Sequence, residues 1–244
     1  MKFDIVSIFP AMVKAPLAEG VVGRAIGRGV IDVGVHDLRD FTIDLHRVVD
    51  DMPFGGGPGM VMKPEPFFAA VEHIRCERGT PDAIVLTSPD GARFAHQDAE
   101  RLSGLGHVVL LCGRYEGVDE RVRRHLATES LSIGDYVLSG GELPALVMLD
   151  AIARLVSGVV GDEESLARDS FVGGLLDYPQ YTRPAVFQGH EVPAVLLSGH
   201  HAAIARWRRR EALARTLARR PDLLDVAVLD ENDRALLREI ERGD

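Results

Sequence analysis

Alternation of short apolar runs with helical patterns is the feature that most restricts the fold of this 244-residue chain. Runs rich in apolar and β-branched residues predict strands at Lys2–Ile8, Val30–His36, Ala83–Thr87, Val108–Cys112 and Ser130–Ile133. Helical periodicity between them covers about Met12–Arg28, Pro66–Arg78 and Asp119–His125. Because strand and helix alternate, we predict an α/β domain with a mostly parallel sheet.

The amino-acid composition and its periodicity change after this alternating part of the chain. Pro144–Val156 is apolar nearly all round, which predicts a buried helix. Residues 159–174 are rich in Gly, Ser, Asp and Glu and have little periodicity, which favours an exposed and flexible linker. The sequence therefore predicts a catalytic or binding domain over 1–158, a linker over 159–174 and a further domain over 175–244.

The predicted last domain is helical. Ser198 is placed to cap a helix that continues to Arg220, and Pro221 ends it. A final helix is expected over about Glu231–Arg242.

Bulk composition excludes several classes of protein. No apolar run approaches the roughly 20 residues that span a bilayer, and the first residues alternate like a strand and include an acid, unlike a signal peptide. Two cysteines, Cys76 and Cys112, cannot make a disulfide framework. We therefore expect a reduced, cytoplasmic protein without a membrane partner.

Charge is unevenly distributed along a chain whose net charge is −9. Between Gly199 and Pro221 a single acid, Glu211, accompanies a cluster of arginines. These arginines are Arg206, Arg208, Arg209, Arg210, Arg215, Arg219 and Arg220. Such a local basic patch on an acidic protein fits contact with a nucleic acid if the arginines share one face.

Glycine-containing loops follow three of the predicted strands. They are Thr87–Gly91, Cys112–Gly117 and Ser132–Pro144, and the last of them leads directly into the apolar helix. In an open α/β sheet the loops at the carboxyl ends of strands form the ligand crevice. Each loop alone is weak evidence for a site, but the three loops together predict a ligand site lined largely by backbone groups.

The usual nucleotide and metal motifs are missing. No G-x-G-x-x-G follows the first strand, and Gly55–Gly59 lacks the Lys-Ser/Thr pair of a P-loop. That glycine run is either a flexible loop or a surface for a flat ligand. The histidines and cysteines do not have metal-ligand spacing, so no metal site is predicted.

Three charged residues are candidates for chemistry. Arg154 lies in the apolar helix, four residues after Asp150, where a surface ion pair is the plain explanation. If the helix is buried, however, Arg154 needs a partner, and a substrate could be that partner. Asp169 lies in the predicted linker, where an ordinary solvated acid or a cap for a following helical turn would be expected. Glu116 lies between Gly113 and Gly117 in the candidate ligand loop Cys112–Gly117.

Taken together, the sequence resembles the bacterial tRNA (guanine-N(1)-)-methyltransferases of the SPOUT class along nearly its whole length. The motifs that carry the resemblance are Ile8–Pro10, His36–Arg39, Asp50–Asp51, Gly55–Met60, Cys112–Gly117, Ser132–Pro144, Asp169–Phe171, Tyr181–Pro184, Leu196–Gly199 and Arg219–Leu223. Two positions depart from the usual pattern: Phe54 stands in place of a frequent Tyr, and Gln180 in place of a frequent His.

The resemblance implies a SPOUT-type α/β fold with a deep trefoil knot near the carboxyl end of the first domain, followed by a small helical domain. It implies a homodimer whose sites are shared between chains, with S-adenosylmethionine as methyl donor and tRNA as substrate. Contacts to the methyl donor map onto Thr87, Ser88, Pro89, Gly113, Tyr115, Gly117, Ile133, Gly134, Asp135, Tyr136, Val137, Leu138, Gly140, Gly141 and Pro144. Relatives are also associated with Mg²⁺, although no ligand cluster marks a site.

The resemblance also assigns roles to the charged residues. The reaction would move a methyl group to ring nitrogen 1 of the guanine 3′-adjacent to the anticodon. Asp169 would be the general base, Arg154 would stabilise charge on the guanine oxygen, and Glu116 would position the donor. Gly55–Gly59 would cradle the extruded base, and the arginine-rich helix would contact tRNA phosphates. The alternative is a SPOUT methyltransferase acting on a different RNA nucleotide.

Overall fold

The structure is a computed structural model that describes residues 1–161 and 169–242. The chain divides into two compact units, residues 1–161 and 162–244, and each is described by itself. Residues 162–168 of the predicted linker lie outside the described residues. Val159, at the start of that predicted linker, is buried in the core of the first unit.

The first unit alternates strands and helices. Its strands are β1 (Lys2–Ser7), β2 (Asp32–Asp37), β3 (Asp50–Asp51), β4 (Val61–Met62), β5 (Ala83–Arg93), β6 (His107–Cys112) and β7 (Glu129–Ser132). Its helices are α1 (Pro10–Leu17), α2 (Gly20–Gly27), α3 (Pro64–Arg78), α4 (His96–Ser103), α5 (Glu120–His125) and α6 (Glu142–Leu155), with a 3₁₀ turn at Leu38–Phe41.

A central parallel sheet organises this unit. Its strand order is β2-β1-β6-β5-β7, and every adjacent pair is parallel. The predicted α/β class with a mostly parallel sheet is therefore confirmed. The predicted single helix over Met12–Arg28 is wrong, because Gly20 adopts a φ of +69° and the segment forms two helices, α1 and α2.

Both faces of the sheet are covered. In β6, Val108 and Leu110 pack into one apolar cluster, together with residues of α1, α2, α4 and α6. Val109 and Leu111 point to the opposite cluster, which contains residues of α3 and α5. Burial on both faces explains why the strand is a continuous apolar run rather than an alternating one.

Helix α6 is only partly buried, which corrects the prediction of a helix covered all round. Ala145, Met148 and Ile152 are buried in the core. Leu143 and Val147, on another side of the helix, are 47% and 49% exposed. The apolar composition of α6 therefore does not predict its burial, because apolar residues of this helix face both the core and the surface.

The second unit is small and mainly helical. Its elements are a 3₁₀ turn (Val172–Gly174), the antiparallel strands β8 (Val186–Phe187) and β9 (His190–Glu191), α7 (Ala194–Leu197), α8 (His201–Arg219), a 3₁₀ turn (Pro221–Leu223) and α9 (Glu231–Arg242). Leu175, Leu213 and Leu236 form its buried apolar core. The predicted helix over Glu231–Arg242 is confirmed.

The start of α8 differs from the prediction. Ser198 does not cap it; its hydroxyl donates to the Val195 carbonyl at 2.7 Å at the end of α7. The N-cap is His200, whose Nδ1 accepts a hydrogen bond from the Ala203 backbone at 3.2 Å. Gly199, with a φ of +71°, separates the two helices.

Candidate functional site

A cavity of about 520 Å³ lies at the carboxyl ends of β6 and β7 and at an interruption in the middle of β5. The three predicted loops meet there, as expected for an α/β sheet with parallel strands. All of the predicted methyl-donor contacts except Asp135 line this cavity, and so does Glu116. The structure therefore brings into one place residues that are up to 57 positions apart in the sequence, Thr87 and Pro144 being the extremes of the predicted set.

The first loop is an interruption of β5 rather than an ending. Thr87 and Ala92 both lie opposite Leu131 of β7, so the intervening residues are expelled from the ladder. The Thr87 hydroxyl is buried and donates to the Leu111 carbonyl at 3.0 Å. Thr87 thus offers the cavity mainly its backbone, while its side chain joins the ends of two strands.

The last loop returns from β7 to the end of β6. Gly141 N–H donates to the Gly113 carbonyl at 2.8 Å, and Arg114 and Gly140 form an antiparallel bridge. A Cβ at Gly141 would lie 2.0 Å from Thr87 Oγ1, and it would also crowd the Cys112 backbone. Glycine is therefore required at Gly141 for close approach of the two loops. The trefoil knot expected for this region stays a prediction.

A buried carboxylate, that of Glu142, directly follows Gly141 in the chain. Glu142, 1% exposed at the start of α6, accepts hydrogen bonds from Ser7 Oγ at 2.7 Å and from Arg114 Nη1 at 3.1 Å. The Arg114 guanidinium also lies over the Phe9 ring, 4.4 Å from its centre. Burial, with a further contribution from the Glu142 carboxylate, raises the pKa of the Cys112 thiol well above its usual range. Cys112 is therefore a packed, unreactive residue.

The rim of the cavity carries a second paired cation. Arg123 of α5 donates to Asp90 at 2.8 Å and to Ser88 Oγ at 3.1 Å. Hydrogen bonds from Ser88 and Arg123 lower the pKa of Asp90, so that its carboxyl stays ionised. Sequence reasoning missed Asp90, Arg114 and Arg123 as site residues. Asp90 and Arg114 lie within the predicted loops, but nothing in the sequence pointed to Arg123.

Glu116 connects this cavity to the glycine run. Its backbone N–H donates to the Met60 carbonyl at 3.0 Å, and a Cβ at Gly59 would lie 2.4 Å from the Glu116 side chain. The structure thus brings Gly59 and Glu116 into contact. Gly55–Gly57 have positive φ angles and open space around each α-carbon, and Phe54 beside them is fully exposed. A flexible loop and a surface for a flat ligand both remain open for these three glycines.

The other two predicted catalytic residues lie in different units. Arg154 is half-buried in the last turn of α6, in the first unit. Asp169 opens the described part of the second unit, and its carbonyl accepts a hydrogen bond from Val172 N–H at 3.3 Å. Residues 162–168, which connect them, lie outside the described residues.

The arginine-rich helix α8 is largely paired within its own unit. Arg206 lies 2.9 Å from Glu239, Arg209 lies 2.6 Å from Asp233, and Arg220, just beyond the helix, lies 2.6 Å from Asp222. Arg215 donates to the Asp177 carbonyl at 3.1 Å. Acids in the described residues after Pro221 therefore pair with three of the seven arginines of the predicted basic patch. Arg208 differs, since its guanidinium lies over the Tyr178 ring, 4.9 Å from the centre.

Metal-binding clusters and membrane-spanning helices are absent from the described part of the chain. Over residues 1–161 and 169–242, no group of three or more His, Cys, Asp or Glu side chains could hold a metal ion. Within the same ranges no helix is both long and apolar enough to cross a membrane.

Fold and cavity define the class first: an α/β protein with a parallel sheet and a ligand crevice formed by the loops after its strands. The profile described as tRNA (Guanine-1)-methyltransferase TrmD matches residues 1–226. The chain is 54% identical to a tRNA (guanine-N(1)-)-methyltransferase of Geobacter metallireducens, over 100% of this chain and 99% of the relative. Proteins of the same name from Geotalea uraniireducens and Geobacter sulfurreducens are 54% and 53% identical, over 99% of this chain and 98% of each relative. The chain belongs to the tRNA (guanine-1)-methyltransferase family.

Proposed function

We propose that this protein transfers a methyl group from S-adenosylmethionine to ring nitrogen 1 of the guanine 3′-adjacent to the anticodon in tRNA. Membership of the family indicates methyl transfer to tRNA. The observation that carries the proposal at the level of residues is the cavity at the interruption of β5 and the ends of β6 and β7, because the motif residues of three separate loops line it.

The chemistry of the cavity suits this methyl donor better than a nucleoside polyphosphate. The two arginines at the cavity, Arg114 and Arg123, are each paired with a carboxylate of the same unit. Half-exposed rings of Tyr115 and Tyr136 offer flat surfaces, while Glu116 supplies negative charge. Backbone groups, aromatic rings and an acid fit an adenosine that carries a sulfonium cation. When bound, S-adenosylmethionine supplies an electrophilic methyl group.

The chain supplies the proton chemistry. Neutral guanine carries a proton on ring nitrogen 1, so a base must accept that proton as the methyl group is transferred. We assign this role to Asp169. Loss of the proton shifts negative charge toward the exocyclic oxygen, and we assign its stabilisation to the Arg154 guanidinium. Glu116 is assigned to positioning the donor.

We assign the glycine run Gly55–Gly59 to holding the target base. Ring nitrogen 1 lies on the pairing edge of guanine, so the base must be unpaired and extruded before it can react. Gly55–Gly57 leave open space beside the fully exposed Phe54, and Gly59 contacts Glu116 at the cavity. A base held on this glycine run would therefore be near the donor loops of the same unit.

A second copy of the chain is part of the proposal. Exposed apolar side chains occur in the last donor loop, where Val137 is 84% exposed, and on α6. The others in this set are Tyr136, Leu138, Leu143 and Val147. Exposed apolar side chains beside a ligand cavity are typical of a protein interface. A homodimer through this surface would cover the donor loop and allow each site to use groups from both chains.

The compartment follows from the same proposal. Cys76 and Cys112 are free thiols, one exposed and one buried, in keeping with a reducing environment. An enzyme that acts on bacterial tRNA would work in the cytoplasm. Mg²⁺ is not part of the proposal, since no described group of acids marks a site for it.

The test is methyl transfer from labelled S-adenosylmethionine to tRNA, followed by identification of the modified base. The expected product is guanine methylated at ring nitrogen 1, next to the anticodon. No incorporation would overturn the proposed function, and a different modified nucleotide would favour another RNA target.

Asp169→Asn tests the assigned base separately. We expect a loss of about 100- to 10,000-fold in the single-turnover rate, since that is the usual contribution of general-base catalysis. Asp225→Asn is the matched control, because Asp225 is an exposed acid of the same unit, and it should keep the wild-type rate. An Asp169→Asn protein with full activity would contradict the base assignment while leaving the reaction class intact.

A further inference from the structure

We propose that the second unit holds one unstacked nucleobase of the RNA substrate in an aromatic cavity between Tyr178–Arg183 and helix α8. This base is distinct from the guanine that is methylated. The inference rests on the proposed function, because it takes tRNA to be the substrate. It adds a recognition site within the second unit to the reaction site of the first.

The cavity has the dimensions and surfaces of a small-ligand site. Its volume is about 370 Å³, within the range of roughly 300–1,000 Å³ that is usual for such sites. Tyr181 and Trp207 line it with ring centres 6.3 Å apart and planes inclined by 52°. The Tyr181 side chain is half exposed, so its ring is accessible from solvent. Tyr178 completes the aromatic lining, with the Arg208 guanidinium over its ring.

Arg208 is the arginine of α8 that is best suited to a ligand. Arg206 and Arg209, its near neighbours, are each held by a carboxylate of α9. Arg208 has no ion pair in the described part of the chain, and its buried Nε donates to no acceptor there. Its charge therefore remains available to a ligand with hydrogen-bond acceptors.

The combination favours a base over a phosphate or an apolar peptide. Unpaired RNA bases are recognised by stacking on aromatic rings and on the planes of arginine guanidinium groups. A phosphate would gain little from Tyr181, Trp207 and the aliphatic wall of Leu196 and Ile204. An apolar peptide would leave the Arg208 charge desolvated and unpaired. A flat heterocycle with ring nitrogens and carbonyl oxygens satisfies both parts of the lining.

Polar groups at the cavity could distinguish one base from another. Gln180 lines it, with its side-chain amide fixed by a 3.1 Å hydrogen bond to Asp177 Oδ2, and Thr182 lies beside it. Gln180 is also one of the two positions that depart from the usual motif. Base preference at this site is therefore expected to depend on Gln180 more than on the aromatic rings.

Trp207 makes the proposal directly measurable, because it is the only tryptophan in the chain. Full-length protein is titrated with unmodified tRNA, in the presence of the demethylated donor S-adenosylhomocysteine so that no turnover occurs. Stacking of a base in the cavity should quench Trp207 fluorescence in step with binding measured by filter retention. Heparin, a polyanion without bases, serves as the charge control and should not quench.

Variants separate stacking from a general loss of affinity. Tyr181→Ala should weaken tRNA binding by about 5- to 150-fold, as expected when one base loses its stacking partner, and should reduce the quenching. Tyr181→Phe keeps the ring and should retain both. Phe187→Ala removes an exposed aromatic ring of the same unit outside the cavity lining, and it should bind tRNA like the wild type.

Any different result would overturn the inference, and each such result has a distinct meaning. Unquenched Trp207 with normal binding, or unchanged affinity in Tyr181→Ala, would exclude a base in the cavity. Weaker binding in Arg208→Ala but not in Tyr181→Ala would indicate a phosphate contact instead. Equal quenching by free GMP or AMP at similar affinity would indicate a mononucleotide site. Because none of these measurements requires methyl transfer, failure of the proposed reaction would appear separately in the methylation assay.

Discussion

The two units handle charge and cavities in different ways. The first unit buries charged groups: Asp4 in β1 is completely inaccessible, and Glu142 at the start of α6 is 1% exposed. The second unit has a core of a few leucines, and the ion pairs Arg206–Glu239 and Arg209–Asp233 join α8 to α9. Correspondingly, the cavity of the first unit is lined by glycine-rich backbone, whereas the cavity of the second is lined by aromatic side chains.

This difference indicates where each unit is sensitive to substitution. A large core with two covered sheet faces can hold a buried carboxylate, provided that several donors surround it. In the second unit Asp233 is nearly buried beside Arg209, while exposed pairs such as Arg206–Glu239 add little to stability. A backbone-lined cavity depends on residues without side chains, while an aromatic cavity depends on the rings themselves. Substitutions ordered by burial should test this contrast.

The largest effect on stability is expected from Asp4→Asn. Asp4 receives hydrogen bonds from His36 and His107 at 2.6 Å and from Arg78 at 2.9 Å. Removing the fully buried Asp4 charge leaves the partly buried Arg78 guanidinium with only Asp32, at 3.0 Å, so the free energy of unfolding should fall by about 3–5 kcal/mol at neutral pH. Urea unfolding followed by far-UV circular dichroism measures this change.

The pH dependence of that effect has a definite sign. Burial opposes the Asp4 charge, but the hydrogen bonds from His36, His107 and Arg78 outweigh it and lower the pKa of Asp4. A carboxyl with a lowered pKa stabilises the fold above its unfolded pKa, about 3.9, and loses that contribution as pH falls through the folded value. Wild type and Asp4→Asn should therefore begin to converge in stability as pH falls below about 4 and become equal only below the folded pKa of Asp4. A difference that persisted there would contradict the charge-based account.

The next effect is expected at the backbone-lined cavity, from Gly141→Ala. The added methyl group would overlap Thr87 Oγ1 and the backbone of Cys112, so one loop must move. We expect a loss of about 3 kcal/mol in stability and at least a tenfold weaker binding of S-adenosylmethionine by calorimetry. Gly27→Ala is the control, because Gly27 has open space around its α-carbon and a φ outside the positive range. Unchanged donor affinity in Gly141→Ala would remove this loop from the proposed site.

Most of the first unit could be predicted from its sequence. Runs such as Val108–Cys112 are apolar on both faces, so they specify a buried parallel strand by themselves. Boundaries depended on single residues: Gly20 divides a periodic segment into two helices, and Gly199 with His200 replaces the expected cap at Ser198. The exposed side of α6 could not be predicted, because the apolar composition at Leu143 and Val147 is the same for a core contact and for an interface.

The site was predictable where it depends on chain order and not where it depends on packing. Loops after parallel strands must meet at one edge, so Gly113 and Gly141 could be placed together from the sequence. Arg123 comes to Asp90 only through the placement of α5, which no local pattern encodes. The aromatic cavity was missed for the same reason, since Tyr181 and Trp207 are joined by tertiary packing. Pairing of the α8 arginines with α9 also requires the folded unit.

The smallest effects are expected from the ion pairs of the second unit, and they should follow burial. Asp233 is nearly buried, and its pKa is lowered by hydrogen bonds from Arg209, so Asp233→Asn should cost about 1.5 kcal/mol. Arg206 and Glu239 are 64% and 42% exposed, so Arg206→Ala should cost only about 0.2–1 kcal/mol and lose even that in high salt. Unfolding followed by Trp207 fluorescence reports on this unit specifically. Equal losses for the two variants would show that burial does not set the strength of these pairs, and the contrast between the units would then have to be attributed to core size alone.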